Sequence, residues 1–266
     1  NNTEAKTIWL QVITNYPNSP IEAEALYLLS KKSPEYGEQL QSKYPDHPLT
    51  HEVIREKLKE NPDNLDLLLF LIKYDPDGKD GASIRERLEK EYTSELTPQQ
   101  WEIIADGYWL TFDYEKASLA YRKAPSNSRN IYRIARGFHL RNKTTEAKSA
   151  YQYLIKTFPD AEELRLGLKH LASLVSAREA LPYLDQLIAK FPEDTPQTLL
   201  IKANLLESLN SHTSAAQARQ IILDNYATSE IASQYRWEVA QKLAQKGDIL
   251  YAWKWAQPIT VNTPNS

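Results

Sequence analysis

Small and large apolar residues alternate along the middle of the chain and recur thirty residues later. The recurring pairs are Ala105 and Ala135, Gly107 and Gly137, Tyr108 and Phe138, Ala117 and Ala147, and Tyr121 and Tyr151. The pattern then continues with a slightly longer period to Ala180, Leu187 and Pro192. Spacings of about 30 to 34 residues are typical of stacked helical hairpins. A single hairpin cannot bury its apolar face, so the pattern predicts an all-α solenoid, wound as a right-handed superhelix.

The spacing fits the tetratricopeptide template, which has small residues where antiparallel helices approach and large residues in the holes between them. A proline just past the second helix, such as Pro159, ends that helix because it lacks the backbone donor that would continue it. Four units match, the fourth more loosely, and they open with the large residues Trp101, Ile131, Leu164 and Leu199.

The N-terminal third is less regular, and residues 5–17 match only the second helix of a repeat. We therefore predict irregular helical repeats over residues 1–96 and TPR-like repeats over residues 97–266 that continue the same superhelix. Thr97 and Pro98 form a good helix start at this boundary, because threonine caps a helix and proline fits its first turn. The whole pattern predicts roughly thirteen helices and no strand.

The composition excludes several classes of site. Seven glycines in 266 residues argue against a glycine-rich phosphate loop, and a net charge of −3 gives no basic field for nucleic acid. The absence of cysteine excludes disulfides and thiolate chemistry. No run of about 18 apolar residues could cross a membrane. We accordingly predict no catalytic, cofactor-binding or metal-binding residue.

Two segments are spaced like metal sites but are better interpreted as helix boundaries. The segment 75–86 has the length of an EF-hand calcium loop, but Lys79 stands where the loop needs an oxygen ligand, so we predict a turn between helices. His47 and His51 are four residues apart, but Pro48 lies between them, which indicates a helix entrance rather than a zinc site.

Trp253 and Trp255 are the most unusual aromatic residues of the chain. Because they are two residues apart on a predicted helix, they face different sides of it. We expect one ring to pack against a further helix that the chain lacks, and the alternative is a surface ring that stacks on sugars. The chain does not begin with methionine and has no charged-then-apolar leader, so we expect an exported fragment whose signal peptide has been removed.

The C-terminal hairpin and the N-terminal helices together resemble the superhelical N-terminal region of soluble lytic transglycosylases, particularly a cyanobacterial type. The residues that carry this resemblance are Tyr235, Arg236, Trp237, Gly247, Asp248, Trp253, Trp255 and 264–266, with 16–20 and 24–29. The resemblance implies an α-superhelix ahead of a lysozyme-like domain that cleaves the MurNAc–GlcNAc β-1,4 bond of peptidoglycan to a 1,6-anhydro product. It also implies a periplasmic location.

The catalytic signature of that family is a Glu-Ser pair followed shortly by Gly-Leu-Met-Gln. Glu207 and Ser208 supply the pair, but no partner segment follows and the chain contains no methionine. The resemblance therefore implies a non-catalytic scaffold whose catalytic domain is absent. Its partners would be that domain, glycan strands or cell-wall proteins. The chain alone is predicted to be inactive.

The other paired carboxylates give no acid–base site. Glu162 with Glu163, and Glu22 with Glu24, are interpreted as residues of solvated polar helix faces. Two other functions stay open. One is a stand-alone TPR adaptor that binds a peptide or protein in its concave groove. The other, weaker, is a complete enzyme with an unrecognised site in the groove.

Overall fold

The computed structural model describes residues 2–262, and side chains from residue 4 to residue 259. Within these residues the chain forms sixteen α-helices, one short 3₁₀-helix (Pro192–Asp194) and no strand, which confirms the all-α prediction. The helices are α1 (Asn2–Asn15), α2 (Pro20–Ser30), α3 (Pro34–Lys43), α4 (Pro48–Glu60), α5 (Leu65–Tyr74), α6 (Gly81–Glu91), α7 (Pro98–Leu110), α8 (Tyr114–Tyr121), α9 (Ser128–Leu140), α10 (Thr144–Thr157), α11 (Glu163–Leu174), α12 (Ala177–Lys190), α13 (Thr195–Ser208), α14 (His212–Asn225), α15 (Glu230–Gln245) and α16 (Ile249–Asn262).

The helices group into two compact units, with the division between Lys143 and Thr144. In the first unit α1 packs on α2, α2 on α3, α7 on α8 and α8 on α9, while α5 contacts α4, α6 and α7. In the second unit consecutive helices pack from α10 to α14, and α15 packs on α16. The sequence-based division after residue 96 stays a prediction, and residues 263–266, which contribute to the transglycosylase resemblance, lie outside the described residues.

The estimate of roughly thirteen helices was too low. Helices α4 and α6 carry many charged side chains, so the spacing of their few apolar residues does not indicate a helix. Each of them still buries a short apolar stripe, with Val53 and Ile54 on α4 and Ile84 and Leu88 on α6. A narrow apolar stripe is enough to pack each helix on its neighbours, because the opposite face of the helix lies in solvent.

The helix starts follow from short capping motifs. The Thr97 hydroxyl accepts a hydrogen bond from the Gln100 amide, and the Gln100 side chain accepts one from the Thr97 amide. This reciprocal capping confirms the predicted helix start at residues 97 and 98. Ser176 and Glu179 form the same arrangement at α12. Such caps satisfy amide groups that have no partner within the first helical turn.

The thirty-residue repeat marks the places where helices approach most closely. Ala105 and Ala135 are completely buried, and Gly107 and Gly137 lie against neighbouring helices. A methyl group on Gly137 would lie 2.2 Å from Ser118 Oγ and 2.7 Å from the Tyr114 carbonyl oxygen. These contacts confirm that small residues permit close helix approach.

The turns after α9, α13 and α15 each contain a residue in the left-handed conformation. Asn142 and Asn210 have φ of 56° and 58°, and Gly247 has φ of 85°. Asparagine and glycine adopt this conformation at low cost. Phe112 occupies the same kind of turn after α7, with φ of 61°, although a large aromatic residue is strained there. Gly247 lies in the turn that joins α15 to α16.

No helix within residues 2–262 is both long and apolar enough to cross a membrane.

Candidate functional site

The acidic segment between α5 and α6 forms a turn whose carboxylates bind an arginine. Arg55 of α4 donates its Nε–H to Asp80 Oδ2 at 2.7 Å, and its Nη2 donates to Asp75. The backbone of residues 75–80 is a succession of turns that leads into α6. The interpretation of this segment as an inter-helix turn is therefore confirmed, and its aspartates tie α4 to the start of α6.

The two nearby histidines have separate structural roles. His47 is the N-cap of α4, where its Nδ1 accepts the Leu49 amide hydrogen at 3.2 Å. His51 is buried, with Nε2 2.9 Å from the Pro45 carbonyl oxygen and Nδ1 3.6 Å from Asp75 Oδ2. The predicted helix entrance at His47 is confirmed. The described part of the chain contains no group of three or more potential metal ligands.

Glu207 lies in the last turn of α13 and is partly exposed to solvent. Its carboxylate accepts a hydrogen bond from Arg219 Nη1 at 2.9 Å, and its other oxygen lies 2.6 Å from His212 Nδ1. The hydrogen bonds with Arg219 and His212 hold the pKa of Glu207 below its ordinary value. A general acid needs a pKa near the working pH, and these contacts move the pKa of Glu207 away from it.

Glu22 corrects the interpretation of the Glu22 and Glu24 pair as solvated. Glu24 is exposed, but Glu22 is buried, with 3% of its surface accessible. The Glu22 carboxylate accepts hydrogen bonds from the Asn18 amide at 2.5 Å, Lys43 Nζ at 2.6 Å and the Tyr44 hydroxyl at 2.5 Å. It thus joins the turn before α2 to the end of α3, which a helix-face pattern cannot reveal.

Two tryptophans on α16 face different sides of the helix, as the spacing predicts. Trp255 is partly buried and packs edge-on against Tyr235 of α15, with ring centroids 6.1 Å apart. Trp253 is 59% exposed, and Trp237 on α15 is 53% exposed. The second unit therefore presents two indole rings to solvent.

Four half-buried side chains on α7 and α9 form a surface that we name the α7–α9 arginine patch: Trp109, Arg129, Arg133 and Arg136. Asp106 of α7 is its centre. Both Asp106 oxygens accept hydrogen bonds from Arg129 Nη2 at 2.9 Å, and Oδ1 also accepts from Arg133. The arrangement fixes two guanidinium groups beside one carboxylate.

The same carboxylate contacts Tyr121, whose hydroxyl donates to Asp106 from the buried core. Burial and then this hydrogen bond raise the pKa of Tyr121 above its ordinary value, so the phenol stays protonated. Arg133 lies against two rings, with its guanidinium carbon 5.2 Å from the Trp109 centroid and 5.6 Å from the Tyr121 centroid. Arg133 is therefore held by a charge and by two aromatic faces.

Arg136, one turn further along α9, has a different environment. Its Nη1 lies 3.3 Å from His139 Nδ1. Burial and then the Arg136 charge lower the pKa of His139, so the imidazole is neutral and accepts this hydrogen bond at neutral pH. Among the described residues, no carboxylate lies within ion-pair distance of Arg136.

A cleft lies between α4 and α6, above α5, and we name it the α4–α6 cleft. It encloses about 390 Å³, within the range of small-ligand pockets. Apolar residues form its floor, and charged side chains form its rim. The floor contains Leu58, Leu68, Leu71 and Ile84, and the rim contains Arg55, Lys59, Lys79, Asp80 and Arg87.

Comparisons with known proteins identify the repeat type. A tetratricopeptide-repeat family model matches residues 129–161, which cover all but the first residue of α9 and all of α10. No curated protein matches the chain by sequence. The chain is an all-α fold of consecutively packed helices that includes a tetratricopeptide-like repeat at residues 129–161.

Three solved structures match the chain at low sequence identity. PilF of Pseudomonas aeruginosa is 15% identical with a TM-score of 0.41, and the match covers 89% of this chain and 98% of that one. Human IFIT1, as a dimer with PPP-AAAA, is 14% identical with a TM-score of 0.43, and the match covers 98% and 66%. Cut9–Hcn1, an APC/C hetero-tetramer, is 13% identical with a TM-score of 0.37, and the match covers 98% and 50%.

Sequence reasoning missed both surfaces. The arginine patch had a detectable signal, because Arg129, Arg133 and Arg136 follow the i, i+4, i+7 spacing that places residues on one helix face. The α4–α6 cleft had none. Its residues come from three helices and two loops that only the folded chain brings together.

Proposed function

We propose that the protein is a scaffold that binds a partner protein at the α7–α9 arginine patch. The observation that carries this proposal is the fixed position of Arg133 between Asp106 and the rings of Trp109 and Tyr121. Arginine, tryptophan and tyrosine dominate the binding energy of protein interfaces. A side chain that is already immobilised loses little conformational entropy when a partner binds.

Arg136 gives the patch a preference for acidic segments. Arg129 and Arg133 already share the carboxylate of Asp106, and Arg129 also reaches Glu102 at 3.0 Å. Arg136 contacts a neutral imidazole instead, so its positive charge is available to a carboxylate of the partner. Arginine binds carboxylates in a two-pronged geometry that adds specificity as well as affinity.

A photo-crosslinking experiment tests this function. A photoreactive amino acid replaces Leu140, which lies one helical turn after Arg136 on α9 and is 39% exposed. In cells that express the full chain, we expect illumination to give a discrete protein adduct. We expect Arg136→Glu to reduce its yield at least tenfold, because charge reversal repels the acidic partner, on the order of 1.4 kcal/mol or more.

The matched control places the same amino acid at Leu28, on α2, which is also 39% exposed. An equal adduct at position 28 would show that crosslinking reflects exposure alone. An adduct at position 140 that withstands Arg136→Glu would place the partner elsewhere, and either result would contradict the proposal.

The transglycosylase scaffold is a second candidate, with export to the periplasm as part of it. In this function the chain holds glycan strands for a catalytic domain. The exposed rings of Trp237 and Trp253 favour it, because an indole has a large flat face that can stack on a sugar ring.

Co-sedimentation with purified peptidoglycan separates this candidate from a protein-only scaffold. We expect the chain to sediment with the polymer and Trp237→Ala with Trp253→Ala to lose most of this binding. Tyr16→Ala is the matched control, since Tyr16 is 59% exposed, as Trp253 is. The released fluid should contain no anhydro-muropeptides, which mass spectrometry would detect. Equal sedimentation of the unmodified chain, the double tryptophan variant and Tyr16→Ala would show that the two tryptophans do not bind the polymer and would contradict this candidate.

A further inference from the structure

The α4–α6 cleft has a buried apolar floor. Leu68 and Leu71 of α5 and Ile84 of α6 form this floor and are buried. Leu58 of α4 lies at one side of the floor and is partly exposed. Arg55 of α4 bonds to Asp80 at the start of α6, and Arg87 of α6 bonds to the carbonyl oxygen of Pro62 after α4, at 2.9 Å. The earlier residue of α4 thus meets the start of α6, and the segment after α4 meets the end of α6. The two helices therefore run in the same direction.

Ion pairs join the two walls of the cleft at both ends. Arg55 binds Asp75 and Asp80 at one end, and Arg87 binds Asp63 at the other. Hydrogen bonds with Glu91 and then Asp63 raise the pKa of Arg87, so it stays charged. Both walls are therefore fixed relative to α5, and a ligand would enter a cavity that already exists.

Two lysines on the rim carry charges that the chain does not neutralise. Lys59 lies in the last turn of α4, Lys79 precedes α6, and both are exposed. Within the described residues, neither ammonium group lies within ion-pair distance of a carboxylate. Asp80 is the acidic residue of the rim, and Arg55 already binds it. The rim therefore presents positive charge around an apolar floor.

We propose that the α4–α6 cleft docks an acidic peptide segment of a partner protein, with one large apolar side chain on the leucine floor and flanking carboxylates at Lys59 and Lys79. The charge complementarity of the rim selects the carboxylates, and the floor selects the apolar side chain. A free phosphate would satisfy the lysines but leave the floor unfilled. This site is separate from the α7–α9 arginine patch, so either can fail without the other.

The probe is a fluorescein-labelled pentapeptide, Glu-Glu-Leu-Glu-Glu, titrated into the full chain at low salt. We expect saturable binding by fluorescence anisotropy, and chemical-shift changes at the methyl groups of Leu58, Leu68 and Ile84 by NMR. A peptide with serine in place of leucine should bind at least tenfold more weakly, because it lacks the group that covers the floor. Binding should weaken steeply with salt, as expected for exposed charges.

The variant Lys59→Glu with Lys79→Glu should weaken binding at least tenfold. Its control is Lys90→Glu with Lys242→Glu, which changes the net charge equally at two exposed lysines outside the cleft. No binding, equal binding of the serine peptide, equal loss in both double variants, or methyl shifts confined to other helices would each overturn the proposal.

Discussion

Gly137→Ala is expected to destabilise the first unit by about 3 kcal/mol, although alanine is the better helix former by up to about 1 kcal/mol. The new methyl group would lie 2.2 Å from Ser118 Oγ and 2.7 Å from the carbonyl oxygen of Tyr114. Ser118 is completely buried, and its hydroxyl bonds to Tyr114 and Ile134 carbonyl oxygens at 2.8 and 3.1 Å. The backbone contact cannot be relieved by a rotamer change, so α8 and α9 must separate.

Gly167→Ala is the matched control, since Gly167 is also a helical glycine and lies thirty residues later. Its methyl group would lie 2.8 Å from Leu154 Cδ2, which is the end of a flexible side chain. We expect a change within about 1 kcal/mol. Urea unfolding followed by circular dichroism measures both variants. Ser118→Ala should restore part of the lost stability of Gly137→Ala, and equal stability of the two single variants would contradict the close packing of α8 and α9.

These glycines show how much of the fold the sequence could predict. The repeat of Ala105 and Gly107 thirty residues later reports a local requirement, close approach of neighbouring helices, and such a requirement repeats with the hairpin. Helix starts at Thr97 and Pro98 were also predictable, because a cap depends on residues within one turn. Periodicity and capping are local, so they can be read from the chain directly.

The candidate sites were less predictable because they depend on contacts between distant residues. Lys59 and Lys79 look like ordinary surface lysines in the sequence, and only folding places them on one rim. Arg136 is distinguished from Arg129 and Arg133 by the absence of a carboxylate nearby among the described residues, which helix spacing cannot show. Charge patterns along a helix identify a face, but they do not identify what the neighbouring helix supplies.

Glu22 shows the same limit in a structural residue, and its contribution depends on pH. Burial alone would raise the pKa of Glu22, but hydrogen bonds from Lys43, Tyr44 and Asn18 outweigh it and hold the pKa below its ordinary value of 4.5. Burial and the bond to Glu22 raise the pKa of Tyr44 to about 12. At neutral pH the carboxylate is ionised and the phenol is protonated, so each group is in the form that the other requires.

Glu22→Ala is expected to cost about 2 to 3 kcal/mol at pH 7, because it leaves the Asn18 amide and the Tyr44 hydroxyl without their acceptor. Glu24→Ala, two residues away on the exposed face of α2, should change stability by less than about 0.5 kcal/mol. Urea unfolding of both variants measures the difference. Equal effects would mean that Glu22 is solvated, as its sequence position suggested.

The pH dependence of Glu22→Gln gives a sharper result, because glutamine preserves the shape and removes the charge. The folded-state pKa of Glu22 lies below 4.5, so the stability that its ionisation contributes is fully present above pH 4.5 and is lost as the pH falls through the folded-state value. The wild-type chain should therefore be more stable than Glu22→Gln at pH 7, and the difference should narrow when unfolding is measured at pH values well below 4.5. A difference that stays constant on acidification would show that the carboxylate charge contributes nothing, and that Glu22 acts through its shape and hydrogen bonds alone.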